Sequence, residues 1–193
     1  MLLEPWGSRG RIRRLGEDDV AKLQVWNEDP EIQHLTGKRL AKGGTWWNEL
    51  LRDRNRVAFG IVNTARELIG DVELEQIVWR SREAELRISI GDKRYWGMGY
   101  GSEAVQAVLE TAFLGLGLHR VYLRVKPENG RAMQAYRKAG FRKVGRLIGN
   151  GRLQGHGDLI LMEIDRHTYG WLNEVVLNDD SAKSDGRRLT PVV

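Results

Sequence analysis

Short stretches in which apolar residues alternate with polar ones recur along the chain, separated by turn-like segments such as Asn63-Thr-Ala-Arg66. Val121, Leu123 and Val125, for example, fall on one face of such a stretch. This alternation is typical of strands with one buried face. The pattern predicts strands at 11–15, 56–62, 68–76, 83–90, 120–125, 141–148 and 158–164.

Between these stretches, apolar residues recur with the period of a helix. The clearest stripe runs from Ala104 to Phe113 and ends at the glycines of Gly115-Leu-Gly117. Further helices are predicted after a cap at Asp18 or Asp19, from Gly43-Gly44-Thr45, from Asn129 to about Ala139, and as a short helix with Tyr169 and Trp171.

The element order is therefore βααβββαβαββ, which indicates an α/β (α+β) fold. Neither an internal repeat nor a second domain is evident, so residues 1–176 are predicted to form one domain. From Leu177 the chain turns polar, and we predict a flexible tail over 177–193.

Composition narrows the function. The 193 residues are 41% hydrophobic, and no apolar run approaches the roughly 20 residues of a membrane span, so no membrane partner is expected. The absence of cysteine excludes a thiol nucleophile and fits a cytoplasmic protein. The four histidines lack metal-ligand spacing, so no metal is expected. The net charge of +5 is dispersed, which favours an anionic cofactor over nucleic acid.

The glycine-rich segment Arg94-Tyr-Trp-Gly-Met-Gly-Tyr-Gly-Ser-Glu103 carries the strongest chemical signal. It joins a predicted strand to a predicted helix, where backbone N–H groups and the helix dipole favour phosphate. A P-loop would need a lysine at the helix start, and the dinucleotide fingerprint would need glycine where Ser102 stands. A tight turn that merely caps the helix is the structural alternative.

A second motif, Asn129-Gly-Arg-Ala-Met-Gln-Ala-Tyr136-Arg-Lys-Ala-Gly140-Phe141, lies on the helix after the next strand. Together the two motifs resemble the paired signature of the GNAT acetyltransferase superfamily, most closely its RimJ/RimL-type branch of ribosomal-protein-alanine acetyltransferases. The resemblance covers about residues 9–170. It implies a mixed, mostly antiparallel central sheet flanked by helices, acetyl-CoA as co-substrate, an amine acceptor and a homodimer.

The resemblance also implies where acetyl-CoA binds. The pantetheine arm pairs with the strand edge at Ile88, Ser89 and Ile90, where a backbone N–H stabilises the oxyanion, and Asn129 either contacts this arm or caps its helix. The pyrophosphate lies on the glycine-rich segment, with Arg94 at its edge. The expected pyrophosphate contacts are Trp96, Gly97, Met98, Gly99, Tyr100, Gly101 and Ser102.

Acetyl transfer to an amine sets two chemical demands. An alkyl amine with a pKa near ~10.4 must lose a proton to a base, and the leaving thiolate departs more readily if an acid protonates it. By its place in the motif Tyr136 is the acid, although its helical spacing also suits a core residue. Glu85 and Glu83 are candidate bases. The alternatives are that both are solvated edge residues, or that Glu85 pairs with Arg87 or a cross-strand arginine; His156 is a further candidate base.

The first two helices usually line the acceptor cleft in this family, which makes Trp26 and Glu31 candidate substrate contacts. The leading interpretation is an N-acetyltransferase that moves acetyl directly to a primary amine in a ternary complex. The alternative is a non-catalytic acyl-CoA-binding sensor or interaction module on the same fold. The sequence does not identify the acceptor.

Overall fold

A computed structural model describes residues 11–37, 45–149 and 157–181. Seven strands form one sheet in the order β1-β2-β3-β4-β5-β7-β6. The strands are β1 (Arg11–Arg14), β2 (Val57–Val62), β3 (Leu68–Val78), β4 (Glu83–Ile90), β5 (Arg120–Val125), β6 (Arg142–Leu147) and β7 (Leu159–Asp165).

Six α-helices are present in the described residues. They are α1 (Val20–Asn27), α2 (Pro30–Thr36), α3 (Thr45–Arg52), α4 (Tyr100–Glu110), α5 (Gly130–Lys138) and α6 (Arg166–Ser181). A π-helical turn continues α4 over Thr111–Gly115, and the chain then passes through Gly117 at a φ of +65°. Helix α4 packs against β1, β3, β4 and α5.

All neighbouring strands are antiparallel except β4 and β5. This parallel pair is joined only at its beginning, where Glu83, Ala84 and Glu85 face Arg120, Val121 and Tyr122. Beyond Glu85 the two strands separate, while β4 stays paired with β3 as far as Ile90. The sheet therefore opens between β4 and β5, and the remaining edge of β4 faces the opening.

The alternation within each strand gives the sheet one apolar and one polar face. Ala84 and Leu86 belong to the main core, together with Val105 and Val108 of α4. The intervening positions of β3 and β4 carry charges, and the register sets Glu73 beside Arg87 and Glu75 beside Glu85. Glu73 and Glu85 are buried nonetheless, so this charged face is part of the interior.

The predicted mixed fold and all seven strands are confirmed, with small shifts at their ends. Two features of the predicted element order need correction. Pro30 begins α2, a helix that the predicted order lacks, and Asp29 caps it by accepting hydrogen bonds from the N–H groups of Glu31 and Ile32. Helix α6 is far longer than the predicted short helix and continues to Ser181, beyond the predicted start of the tail.

Asp18 or Asp19 was expected to cap the first helix, but no side chain donates or accepts a capping hydrogen bond at the start of α1. A short 3₁₀ turn, Glu17–Asp19, precedes α1, and Gly16 is its N-cap residue. The Asp19 carboxylate accepts from the Gly16 N–H at 2.9 Å and pairs with Arg13 at 2.6 Å. Asp19 therefore fastens the start of the helical region to β1.

Candidate active site

A cavity of about 320 Å³ lies where β4 and β5 separate. Its lining combines residues from both faces of the sheet: Leu86, Ile88 and Ile90 from the apolar face, and Glu85, Arg87 and Ser89 from the polar face. The cavity therefore passes between the two strands. Helix α2, the loop before α4, the first turn of α4 and helix α5 complete its wall.

The loop before α4 is shaped to receive an anion. Gly97 and Gly99 adopt φ values of +76° and +93°, which residues with a Cβ rarely adopt. Helix α4 begins at Tyr100, so the N–H groups of Tyr100, Gly101 and Ser102 precede the first intrahelical donor. No described residue accepts a hydrogen bond from these three N–H groups. They are available, at the positive end of the helix dipole, to a phosphate group.

Trp96 fixes the position of a cation beside this loop. Its indole Nε1 donates to the Ile90 carbonyl oxygen at 2.7 Å, which orients the ring. The Arg131 guanidinium lies 4.1 Å from the ring centroid, and the Lys93 ammonium lies 5.6 Å from it. Trp96 and Arg131 both line the cavity, so a positive charge stands next to the glycine-rich loop.

Three residues predicted to contact the pyrophosphate have side chains outside the cavity lining. Arg94 is turned onto Asp92, with bonds of 3.0 and 2.6 Å, and its side chain is 79% exposed. Tyr100 is buried edge-on to Tyr95, with ring centroids 5.3 Å apart. Met98 is exposed. Only the backbone of these residues belongs to the loop.

Helix α5 brings Asn129 and Tyr136 to the same cavity. The Asn129 side chain accepts from the Ala132 N–H at 3.2 Å, so it caps the helix while facing the cavity. Tyr136 is buried, with its ring 5.8 Å from that of Phe141. Burial raises the pKa of the Tyr136 phenol above its ordinary value, so the hydroxyl keeps its proton at neutral pH.

The two candidate bases lie in different surroundings. Glu85 lines the cavity and is 2% exposed. Its two oxygens accept from Arg124 at 2.9 and 2.5 Å, and Arg87 lies at 3.9 Å. Glu83 is outside the lining and pairs with Arg120, whose hydrogen bond lowers the pKa of the Glu83 carboxyl. Glu85 is the only carboxylate that the described residues contribute to the cavity wall.

The two predicted acceptor contacts also lie outside the cavity lining. Trp26 packs against Gly91, where an added Cβ would stand 2.1 Å from the indole Cδ2. Glu31 pairs with Lys93 at 2.7 Å, beside Asp29. Helix α2 instead contributes its other end to the wall, with Ile32, Leu35 and Thr36. His156 is outside the described residues.

Sequence reasoning missed most cations of the site: Arg87, Arg124, Lys126, Arg131 and Lys138 all line the cavity. Arg131 and Lys138 stand seven residues apart on α5, about two turns, so helical spacing could have grouped them. Arg124 and Lys126 continue the polar positions of β5. No pattern in the sequence marked Lys126 as buried or Arg124 as the partner of Glu85.

The lining fits CoA, because a positive-φ glycine loop, orphan N–H donors and Arg131 offer phosphate contacts beside the open edge of β4.

In the described ranges, no group of His, Cys, Asp or Glu side chains is arranged to hold a metal ion. No helix within 11–37, 45–149 or 157–181 combines the length and apolar character needed to cross a membrane.

Comparison with known proteins agrees with this geometry. The acetyltransferase (GNAT) domain model matches residues 9–142. The chain is 33% identical over 141 residues to spermidine N(1)-acetyltransferase of Vibrio cholerae, covering 68% of this chain and 75% of that one. It is 29% identical over 154 residues to spermidine N(1)-acetyltransferase of Escherichia coli K12, covering 79% and 78%.

The fold is similar to solved structures as well. The crystal structure of Vibrio cholerae spermidine N-acetyltransferase in complex with CoA and spermine superposes with a TM-score of 0.77 at 26% identity. The match covers 84% of this chain and 99% of that one. The chain belongs to the GNAT acetyltransferase family. It is an acetyl-CoA-dependent N-acetyltransferase that acts on an amine.

Proposed function

We propose that this enzyme transfers acetyl from acetyl-CoA directly to a primary amine within a ternary complex, with Tyr136 as the general acid. The observation that carries the proposal is the shared cavity: the phosphate-binding loop, the open edge of β4 and the buried phenol of Tyr136 line one continuous space. A donor bound on the loop can then reach along β4 toward the phenol. No cysteine intermediate is needed for direct attack.

In this proposal the loop N–H groups from Gly97 to Ser102 bind the pyrophosphate, and Arg131 replaces Arg94 as the cation beside it. The pantetheine arm lies along Ile88, Ser89 and Ile90, as an added strand would. Asn129 faces the same arm. The unpaired edge of β4 supports this placement, because its backbone groups beyond Glu85 have no partner in β5.

Glu85 is the proposed base, directly or through a water molecule. Arg124 uses one lone pair on each carboxylate oxygen, and a carboxylate oxygen has two. The remaining lone pairs leave Glu85 able to accept a proton from the amine. Tyr136 holds the proton that the departing thiolate takes up, because burial keeps the phenol neutral.

The acceptor is proposed at the level of a primary aliphatic amine. The two spermidine acetyltransferases support a polyamine, and the resemblance to the RimJ/RimL-type branch supports a peptide N-terminus.

We further propose a homodimer in the cytoplasm, as the family resemblance implies. Edge strand β6 presents exposed Val144 and Leu147, which suits a protein contact. Light scattering after size-exclusion chromatography measures the assembly.

The decisive experiment is acetyl-CoA turnover with a panel of spermidine, alkyl amines, amino acids and peptide N-termini, followed by thiol release. Turnover with at least one amine is expected. Tight CoA binding without turnover on any amine would instead favour an acyl-CoA sensor.

Variants at the two candidate bases test the role of Glu85. Glu85→Gln is expected to lower kcat roughly 10²-fold, because the amide cannot take up the amine proton. Glu83→Gln serves as the matched control, because its carboxylate is engaged by Arg120 outside the cavity. A wild-type kcat for Glu85→Gln would contradict the assignment of the base.

A further inference from the structure

Lys126, which directly follows β5, is a buried cation at the cavity wall. Its side chain is only 11% exposed. The ammonium donates to Nδ1 of His34 on α2 at 3.2 Å. Among the described residues, the only carboxylate oxygen within 4.0 Å is that of Glu128, which lies at 4.0 Å, beyond hydrogen-bonding distance.

The other four cations of the cavity lining have a carboxylate partner or contact water. Arg87 pairs with Glu75 at 2.6 Å, and Arg124 pairs with Glu85 at 2.5 Å. Arg131 and Lys138 are exposed residues of α5. Within the part of the lining that the structure describes, Lys126 is thus the buried cation whose charge no hydrogen-bonded carboxylate balances.

His34 orients Lys126 without neutralising it. Because Nδ1 accepts the hydrogen bond from the ammonium, the ring carries its hydrogen on Nε2, which faces the Glu128 carboxylate at 3.2 Å. Lys126 itself lines the cavity, whereas His34 and Glu128 lie outside the lining. A buried ammonium is costly unless an anion pairs with it, so an anion brought by a ligand would offset this cost.

We propose that Lys126 binds a carboxylate of the acceptor, so that the preferred substrate is an amine that also bears a carboxylate group. The inference rests on the proposed function and narrows its substrate class. Lys126 lies two residues after Arg124, the hydrogen-bond partner of Glu85, and is therefore on the same side of the sheet as the proposed base. A second ammonium at the far end of a diamine or polyamine would meet like charge there.

The acceptor carboxylate takes no part in the bond changes. A bond forms between the amine nitrogen and the acetyl carbon, and the carbon–sulfur bond of the thioester breaks. The amine proton goes to Glu85, and the thiolate receives the Tyr136 proton. Lys126 is therefore a specificity-determining residue whose effect falls on acceptor binding.

Three acceptors with the same four-carbon chain test the proposal: butylamine, 1,4-diaminobutane and the amino acid 4-aminobutanoate, with spermidine as a longer cation. The amino acid should show a kcat/KM roughly 10- to 100-fold above that of butylamine, with the diamine lowest. ω-Amino acids from three to six carbons would then locate the best spacing between amine and carboxylate.

Variants of Lys126 should move this preference and leave donor binding unchanged. Lys126→Met is expected to make the amino acid and butylamine equivalent, Lys126→Arg to retain the preference, and Lys126→Glu to shift it toward the diamine. The KM for acetyl-CoA should stay within about twofold of the wild-type value. Lys143→Met, at an exposed position on β6 outside the cavity lining, is the control.

Each remaining outcome overturns a distinct claim. Turnover of the diamine or spermidine at or above the rate of every amino acid overturns the acceptor class but leaves the acetyltransferase intact. A Lys126→Met variant with a raised KM for acetyl-CoA alone makes Lys126 a donor contact and overturns the inference. No turnover with any amine, while CoA binds, overturns the proposed function and this inference with it.

Discussion

At the scale of single residues, the chemistry of the cavity depends on protonation states that burial sets. Tyr136 has no charged group among the causes of its raised pKa, which is due to burial alone. A phenol in this state is a proton donor throughout the physiological range. Glu85 is also buried, and its two oxygens accept hydrogen bonds from Arg124. The two groups are therefore suited to opposite roles.

Replacing Tyr136 by Phe should lower kcat roughly 10²-fold with little change in the KM for acetyl-CoA. In the wild-type enzyme no alkaline limb below pH ~10 should belong to Tyr136, because an acid with a raised pKa loses its proton only above that range. Steady-state kinetics from pH 6 to 10 measure both. Tyr122→Phe, outside the cavity lining, is the matched control. Wild-type turnover by Tyr136→Phe at every pH would remove the acid role.

The sequence indicated that the glycine-rich loop and Tyr136 belong to one site, because their motifs are local and run along the chain. The structure places Trp96, Gly97, Gly99, Gly101, Ser102 and Tyr136 at one cavity, and their roles stay predictions. Lys126 and Arg124 were not predictable. A charged residue at the end of a strand usually faces water, and only the fold shows that α2 covers Lys126 through His34. Glu31 lies on α2, a helix that the sequence did not predict, and it pairs there with Lys93 outside the cavity lining.

At the scale of elements, close backbone approaches determine how the helices meet the sheet. Gly91 directly follows β4, and the Trp26 ring of α1 packs against its backbone. Sequence alternation predicted β4 itself, since it depends only on neighbouring positions. It did not predict the contact with Trp26, because the two residues are far apart in the chain.

Gly91→Ala should destabilise the protein by about 1–3 kcal/mol, because the added methyl group would collide with the Trp26 ring. In a Trp26→Ala background the same change should cost less than about 1 kcal/mol. Urea unfolding of the four proteins of this cycle measures the difference. Equal costs in both backgrounds would show that the collision is not the cause.

The loop before α4 gives a second prediction at this scale. Gly99→Ala should weaken CoA binding by roughly tenfold or more, since φ = +93° at this position is strained for alanine and relaxation would turn the N–H groups of the helix start. Isothermal titration with CoA measures the affinity. Gly170→Ala, with no atom within 4 Å of the added Cβ, should bind CoA as the wild type does.

At the scale of the whole molecule, ion pairs hold a charged sheet face inside the protein. Arg56 donates to the buried Glu73 at 2.7 Å, and Arg87 and Arg124 pair with Glu75 and Glu85. Period-two alternation predicted that these positions share a face. It could not predict their burial, which depends on the segments and helices that cover the sheet.

The pair between Arg13 and Asp19 makes folding stability depend on pH. The hydrogen bond from Arg13 is the main reason that the pKa of the Asp19 carboxyl lies below its usual value. A lowered folded-state pKa gives stability that is complete above the unfolded value of ~3.9 and is lost as pH falls through the folded value.

Asp19→Asn should therefore lower the free energy of unfolding at pH 7 by about 1 kcal/mol. The free energy of unfolding of the variant should also decrease less than that of the wild type between pH 5 and pH 3. Thermal unfolding across this range measures the effect. Asp18→Asn, at the exposed neighbouring position, is the control. A parallel pH dependence for Asp19→Asn and the wild type would contradict this role.

Only three residue pairs join β4 to β5. The sheet therefore consists of two parts, or leaves: β1–β4 on one side of this short contact and β5–β7 on the other. A donor lying in the opening would touch both leaves and act as a clasp. Its binding would then be part of the folding equilibrium, and CoA at 100 times its Kd should add about 2.7 kcal/mol to stability. Measuring the melting temperature at increasing CoA concentrations would show whether bound CoA stabilises the fold by linking the two parts of the sheet.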